Sequence, residues 1–204
     1  RLSAYWYPNR IFEHHNSLSR GNDFVAGTCF EDVAALYEFD RKLRTLAHDG
    51  IERIEIGLRA QLNEHLGQVG GALAYLDSQH FRPGFEHEAW KTTTYKRIRR
   101  AKNHSEAIRH HFDKYDGQIP IWVLSEVLDF SDVSKLFEGL PTAAQYSIAE
   151  NLGITIDTSA LSSNQRSKAK MNHPLVRWFE HLAIIRNTAA HHARLWNRSF
   201  TPVS

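Results

Sequence analysis

The stretch Leu175–Arg198, LVRWFEHLAIIRNTAAHHARLWNR, decides how this sequence is interpreted. Its apolar residues recur at helical spacing, and the proline before Leu175 stands where a first helical turn accepts it. The pattern therefore predicts a helix that carries the RNTAAH segment on its last turns. At about 100° per residue, one side of this helix is apolar, and we expect it to be buried against other helices. That side holds Trp178, Leu182, Ile185 and Ala189, followed by Trp196.

A second side of the same helix carries the polar residues. Asn187, His191 and Arg194 stand at i, i+4 and i+7, and the long side chain of Arg186 can bend toward them. Guanidinium groups bind phosphate, and imidazole exchanges protons near neutral pH. His192 falls nearer the apolar side, so we expect it to pack in the core. The alternative is structural, with Arg186 paired to a carboxylate and His191 acting as a cation at the helix C-terminus.

The rest of the sequence also predicts helices, and the fold class is therefore all-α. The longest periodic segment is Phe30 to Leu66, in which Gly50 is expected to mark a kink or break. Alternation typical of strands never holds for more than a few residues. Further helices are expected at 87–100, 105–115, after Pro120, after a cap at Ser131-Asp132, and from Pro141 to Leu152, while Thr155–Ser167 is expected to be a loop.

Length and composition are those of an ordinary globular protein. With 204 residues and 42% hydrophobic residues, one domain with a real core is expected. The apolar runs are too short to span a membrane. A single cysteine, Cys29, rules out an internal disulfide framework and suits the reducing cytoplasm.

Positive charge is locally concentrated, although the net charge is only +2. Lys96, Arg97 and Arg100 belong to a basic segment beside Trp90 and Tyr95, and these three cations, together with Arg194, are candidate contacts to a nucleic-acid phosphate backbone. A solvated helix face is the alternative. The other cations of these segments are Lys91, Arg99 and Lys102, with a second group at Arg166, Lys168 and Lys170.

No metal site or cofactor is expected. The adjacent pairs His14-His15, His110-His111 and His191-His192 point to different faces of a helix and chelate poorly. No histidine pair has zinc spacing with a nearby carboxylate. The tryptophans Trp6, Trp122, Trp178 and Trp196 are interpreted as core or dimer-interface aromatics rather than as platforms for bases.

The segments RNTAAH and HHARLWNR resemble the signature of the Abi-like (abortive-infection, AbiD/AbiF-type) proteins, a branch of the HEPN superfamily. Three further stretches are similar to the same family: RLSAYWYP at 1–8, LYEFDRKLRTL with IERIEIGLRAQL at 36–62, and PIWVLSEVLDFSDVSKLF at 120–137. The resemblance implies a single helical-bundle domain of HEPN type with additional helices over residues 1–204, lacking an N-terminal helical segment. The polar positions of the long helices, Asp40, Arg44, Glu55 and Arg59, are interpreted as ion pairs on a helix surface, with Glu55 and Arg59 paired at i, i+4.

HEPN membership implies a metal-independent endoribonuclease with Arg186, Asn187 and His191 as catalytic residues. RNA supplies its own nucleophile, the 2′-hydroxyl, so the implied product is a 2′,3′-cyclic phosphate. The resemblance also implies a homodimer with facing signature helices. The resemblance implies a role in phage defence or as the toxin of a toxin–antitoxin pair. It also implies RNA as the substrate and an antitoxin or regulatory RNA as a further partner.

Two other functions stay open. Some HEPN proteins keep the fold without the activity, and such a module would bind RNA or a protein. The segment Gln145–Thr155, QYSIAENLGIT, is also similar to the first helix and glycine turn of a helix-turn-helix. The residues after it lack the periodic apolar support of a recognition helix, which disfavours a DNA-binding regulator.

Overall fold

The computed structural model describes residues 3–13 and 19–200. Within them, helices predominate and the only sheet is a small two-stranded one in which Arg10–Phe12 (β1) pairs antiparallel with Arg20–Phe24 (β2). The predicted all-α fold is confirmed. The helices are Ser3–Trp6 (α1), Phe30–Gly70 (α2), His87–Ala101 (α3), Glu106–Lys114 (α4), Ile121–Val127 (α5), Phe130–Gly139 (α6), Thr142–Asn151 (α7), Ser163–Met171 (α8) and Leu175–Ala190 (α9). None of these described helices combines the length and the apolar character that crossing a bilayer requires.

The chain forms two compact units. Unit 1 takes its described residues from Arg1–Gly50 and Ile185–Phe200, and unit 2 takes them from Ile51–Ile184. Helices α2 and α9 each supply residues to both units. Helix α2 continues through Gly50, so the predicted break there is wrong. One glycine costs a helix only about 1 kcal/mol, and the helical pattern on either side outweighs that cost.

Unit 2 has a conventional apolar core. Phe130 and Phe137 of α6 pack around Phe179 of α9, with the Phe137 and Phe179 ring centroids 5.0 Å apart at an interplanar angle of 80°. This edge-to-face arrangement is favourable for aromatic pairs. The other fully buried large side chains are Leu58, Leu62, Leu66, Ile108, Ile119, Ile121, Leu124, Leu136 and Leu140.

The buried side of α9 differs from the predicted one. Trp178 is 66% exposed, whereas Phe179 and Ala183 are buried at 1% and 3%. The predicted apolar side is therefore wrong at Trp178 by one helical position. An apolar run such as Val176 to Phe179 offers more than one stripe at helical spacing, and only the neighbouring elements select among them.

The start of α9 is held by a buried histidine. The Nδ1 atom of His173 accepts a hydrogen bond from the Leu175 N–H at 3.1 Å, and the His173 N–H donates to Oε1 of Gln145 at 2.8 Å. Burial lowers the pKa of His173. The neutral imidazole that burial favours is the form that leaves Nδ1 able to accept.

Two predicted details are wrong in ways that capping chemistry explains. The Thr155–Ser167 segment is not all loop, because α8 begins at Ser163. Its capping box, formed by Ser162 and Gln165, is visible in the sequence as SSNQ. Helix α6 is capped by Asp129 rather than by Ser131-Asp132, with Asp132 as the returning member of a second capping box.

The prediction for the Glu55–Arg59 pair of α2 is confirmed for the pairing and wrong for its location. The two side chains form the expected i, i+4 ion pair, and Arg59 also donates to the Leu128 carbonyl at 2.9 Å. Their side chains are only 11% and 17% exposed, so the predicted surface location is wrong. A partly buried ion pair needs such additional hydrogen bonds to offset the loss of hydration.

Candidate functional site

The signature segment ends α9 in unit 1. The last helical hydrogen bond runs from the His191 N–H to the Asn187 carbonyl at 3.0 Å. The N–H groups of His192 and Ala193 then bond back to the carbonyls of Ala189 and Thr188, at 2.9 and 3.0 Å. This is the pattern of a Schellman motif, in which two reversed hydrogen bonds close the helix. His191 is consequently the C-cap residue, and its side chain is exposed.

His192 occupies the left-handed position of this motif, with φ of 54°. It is exposed, so the prediction that it packs in the core is wrong. Helix α9 ends at Ala190, two residues before His192, so His192 does not continue the apolar side of the helix. Histidine is tolerated in this conformation, but glycine is the residue that it favours.

We expect His192→Gly to raise the free energy of unfolding by about 1 kcal/mol, because glycine removes the Cβ contact that penalises φ near +54°. Chemical denaturation followed by circular dichroism measures the change. Asn197→Gly is the matched control, since Asn197 also has positive φ, at 48°, and asparagine adopts it readily. A larger gain at Asn197 than at His192 would contradict this explanation.

Arg186 and Asn187 lie on the last turns of α9. Arg186 is half-buried, and its Nη1 donates to the Oδ1 of the exposed Asn187 at 3.4 Å. Within the described ranges, the His191 imidazole makes no hydrogen bond with another residue. Asn187 contacts His191 through its backbone carbonyl, so an orienting role of its side chain toward the imidazole stays a prediction.

A buried carboxylate holds the backbone that follows His191. Asp40 of α2 is fully buried, and its Oδ1 accepts hydrogen bonds from the Trp196 N–H at 2.7 Å and the Leu195 N–H at 3.1 Å. The Tyr5 hydroxyl and the Arg44 guanidinium donate to its Oδ2. Arg44 also donates to the Tyr5 hydroxyl at 2.9 Å. We call Asp40, Arg44 and Tyr5 the Asp40 network.

In the Asp40 network, the ion pair predicted for Asp40 and Arg44 is present, but the predicted surface location is wrong. The two residues do pair at i, i+4, but Arg44 is only 6% exposed. A charge can stay buried when it is paired and its remaining positions are hydrogen-bonded, as they are here. Burial, reinforced by the hydrogen bond to Asp40, raises the pKa of Tyr5, so this hydroxyl remains a donor.

Beside the network, unit 1 contains an open cleft of about 550 Å³. Arg194 lies half-buried at its wall and donates from Nη1 to the Ala4 carbonyl at 2.7 Å. Arg198 is exposed. His191 thus shares a cleft with Arg194 and Arg198, whereas Arg186 and Asn187 are not among its lining residues. We call it the His191 cleft; its walls are Ser3, Ala4, Tyr5, Tyr37, His191, His192, Ala193, Arg194 and Arg198.

The basic segment of α3 lies in unit 2, and its three candidate RNA contacts differ. Lys96 and Arg100 are exposed, although Arg100 also lies 3.2 Å from a carboxylate oxygen of Asp129. Arg97 is engaged by both Asp129 and Asp132, with nitrogen–oxygen distances of 2.7 Å to each. The hydrogen bond to Asp132 raises the pKa of Arg97. Arg97 therefore stabilises the α3–α6 packing, and its charge is already balanced.

Among the described residues, no three His, Cys, Asp or Glu side chains are arranged to hold a metal ion. His14 and His15 lie outside the described residues. The metal independence of any activity stays a prediction.

The possible helix-turn-helix is not supported by the helix positions. Helix α7 ends at Asn151, and Gly153 makes the expected turn with φ of 74°. The next α-helix begins only at Ser163, whereas a helix-turn-helix joins its helices through three or four residues. Gln145 is fully buried and hydrogen-bonds backbone groups, so it has a structural role.

The sequence was compared with known proteins. The family described as Abi-like protein has a model that matches residues 1–197. No curated protein and no solved structure matches the chain. Because the match covers nearly all of the sequence, the chain belongs to the Abi-like family, which confirms the resemblance to that family drawn from its motifs. Placement in the HEPN superfamily stays a prediction. Membership associates the chain with abortive infection, a defence against phage.

Proposed function

We propose that this chain is a metal-independent endoribonuclease of HEPN type that acts in abortive infection or as a toxin. The observation that supports it is the His191 cleft, in which an exposed imidazole lies with the guanidinium groups of Arg194 and Arg198. Imidazole transfers protons, and guanidinium groups bind phosphate. These are the two functions that cleavage of an RNA backbone requires of a protein.

The proposed reaction is an internal displacement on RNA. The 2′-oxygen attacks the adjacent phosphorus, the bond from phosphorus to the 5′-oxygen breaks, and a 2′,3′-cyclic phosphate forms. One imidazole accepts the 2′-hydroxyl proton, and a second acid gives a proton to the leaving 5′-oxygen. His191 serves as one of these two groups. DNA lacks the 2′-hydroxyl and is not cut.

The arginines stabilise the charge that develops on the phosphate oxygens. Arg186 precedes His191 on the last turns of α9, and in this proposal it reaches the scissile phosphate when RNA is bound. Arg194 and Arg198 hold the neighbouring backbone. Lys96 and Arg100 of α3 provide exposed cations for a longer strand, while Arg97 is excluded from this role by its ion pairs with Asp129 and Asp132.

The activity is tested by incubating purified protein with labelled RNA in excess chelator. The expected result is cleavage, with 2′,3′-cyclic phosphate and 5′-hydroxyl ends found by end-group analysis. A matched DNA strand is the control. Activity that disappears with chelator and returns with magnesium or manganese would rule out the mechanism.

A homodimer accounts for the second acid. In this proposal His191 supplies one proton-transfer group per chain, and two facing α9 helices bring two such groups together. Trp178 of α9 is 66% exposed and offers an aromatic contact for a dimer, because aromatic residues are enriched at interfaces between chains. At about 100° per residue it lies about 140° around the helix axis from His191, so it supports dimer formation and not the placement of the two histidines.

We expect light scattering to give a dimer at micromolar concentration and Trp178→Ala to weaken it by about tenfold or more, which is the effect of losing one buried aromatic contact. Met171→Ala is the control, since Met171 is equally exposed, at 70%, but belongs to α8. A parent chain that stays monomeric at all concentrations contradicts the dimer.

A catalytically silent module that binds RNA or protein is the second candidate. In the described residues, the His191 imidazole makes no hydrogen bond with another residue, so no group is positioned to activate it before RNA or a second chain arrives. Binding measurements separate the two functions, because His191→Ala abolishes cutting by an enzyme and leaves binding by a scaffold intact. An antitoxin or regulatory RNA that covers the His191 cleft would keep such an enzyme inactive.

A further inference from the structure

Unit 2 contains an open cleft of about 410 Å³ whose walls are mostly rings. Tyr115, just after α4, is 46% exposed, and Trp122 of α5 is 50% exposed. His110 and His111 complete the ring walls, with their ring centroids 5.6 and 5.3 Å from that of Tyr115. Trp122 was predicted to be a core or dimer-interface aromatic; it does not lie in the core, since half of its surface is exposed. We call this the Tyr115–Trp122 cleft.

The backbone that shapes the cleft is rigidly held. The Ile121 N–H, at the start of α5, donates to the Ala72 carbonyl at 2.8 Å. The buried Tyr75 hydroxyl donates to the Ile119 carbonyl, also at 2.8 Å. The turn between α4 and α5 has two consecutive residues with positive φ, which are Asp116 at 53° and Gly117 at 74°. These hydrogen bonds hold the backbone beside the cleft, so a ligand would not have to order it.

Polar groups remain available at the cleft. Among the residues that the structure describes, the Gln118 carboxamide, the Trp122 indole N–H and the Tyr115 hydroxyl have no hydrogen-bond partner. Flat apolar walls combined with free amide, N–H and hydroxyl groups match an unpaired nucleobase. Such a base stacks on aromatic rings and exchanges hydrogen bonds through its edges.

Charge favours the same ligand. The Lys114 ammonium lies 5.5 Å from the centre of the Tyr115 ring, so a cation already interacts with that ring. Lys102 similarly lies 4.1 Å from the centre of the Phe112 ring on α4. The Lys114 ammonium is placed to attract a phosphate that flanks a base at the Tyr115 ring.

We propose that the Tyr115–Trp122 cleft binds one unpaired base of single-stranded RNA and so contributes to substrate choice. This inference rests on the proposed function, since RNA is the substrate there. The contact lies in unit 2, separate from the His191 cleft of unit 1, and it selects strands with an unstacked base rather than uniform duplex.

The test is binding of a short fluorescent single-stranded RNA, measured by anisotropy in a His191→Ala background so that the probe stays intact. Trp122→Ala and Tyr115→Ala are each expected to weaken binding by about 5- to 100-fold, the effect of losing one stacked base. Trp122→Phe keeps a ring and is expected to restore most of the affinity. Gln118→Ala, at an exposed position, is expected to weaken binding severalfold without touching the core.

Two controls separate stacking from general attraction. Phe39→Ala removes a 53% exposed ring from unit 1, and binding is expected to stay within about twofold of the parent value. An abasic strand keeps the phosphate charge and lacks the bases, so its binding is expected to be insensitive to Trp122→Ala.

If Trp122→Ala weakens binding of the normal and the abasic strand equally, the base-binding proposal is overturned. It is also overturned if Trp122→Ala changes only dimer formation, measured by light scattering, and leaves RNA binding unchanged. Cleavage by the parent chain with no dependence on Trp122 would remove this proposal and leave the nuclease intact. If RNA binding depends on Trp122 but the parent chain cleaves no RNA, the nuclease proposal is removed and the base-binding proposal is kept. A chain that neither binds nor cuts RNA would remove both.

Discussion

Replacing His191 with alanine is expected to lower single-turnover RNA cleavage by about 10²- to 10⁴-fold, the usual contribution of one general acid or base. The expectation follows from the position of the imidazole, which is exposed at the end of α9 and lies in a cleft with Arg194 and Arg198. RNA affinity is expected to change little, because phosphate charge is met by the arginines. The measurement is cleavage under enzyme excess, beside anisotropy binding of the same strand.

His192 is the matched control for this experiment. It is the neighbouring histidine in the same cleft, and His192→Gly preserves the left-handed backbone that the Schellman motif requires. We expect this variant to retain most of the parent rate per folded molecule. If His192→Gly abolishes cleavage while His191→Ala does not, the catalytic histidine is His192.

Two variants of Arg186 test, in the same assay, whether cleavage needs only a positive charge or the forked shape of the guanidinium group. Arg186→Ala is expected to slow cleavage by about 10²- to 10³-fold through lost stabilisation of the transition state. Arg186→Lys is expected to recover little, because an ammonium does not reproduce the forked contact of a guanidinium with phosphate. Full recovery by lysine would show that only the charge matters there.

Replacing Asp40 with alanine is expected to lower the free energy of unfolding by about 3–5 kcal/mol. The carboxylate is fully buried and accepts from the backbone N–H groups of Leu195 and Trp196. Its removal leaves Arg44, which is only 6% exposed, as a buried charge without its carboxylate. Denaturant unfolding followed by circular dichroism measures the loss.

Two variants test that explanation. Asp40→Asn keeps an oxygen for the backbone N–H groups but loses the charge opposite Arg44, so an intermediate loss is expected. Glu38→Ala removes an i, i+3 ion pair with Arg41 from the same helix, where both side chains are about half exposed, and it is expected to cost under about 1 kcal/mol. An Asp40→Ala variant as stable as Glu38→Ala would show that the Asp40 network does not hold the backbone after His191.

The sequence alone predicted the features that depend on residues close to one another in the chain. Helical periodicity and capping residues predicted seven of the nine α-helices of the described chain, all except α1 and α8, and included the end of α7 at the glycine turn. The i, i+4 pairing of Glu55 with Arg59 followed from helix geometry alone. The motifs at 36–62, 120–137 and 186–198 predicted the family, because such segments are compared residue by residue.

Other features were decided only by tertiary contacts. Trp178 and Phe179 are adjacent and both apolar, and only the packing of Phe130 and Phe137 against α9 buries the second and exposes the first. The role of Asp40 depends on backbone N–H groups more than 150 residues away in sequence. A local pattern records which side chains share a face of one helix. It does not record which face meets a neighbour or which distant donors satisfy a buried charge, since both depend on how separate segments pack.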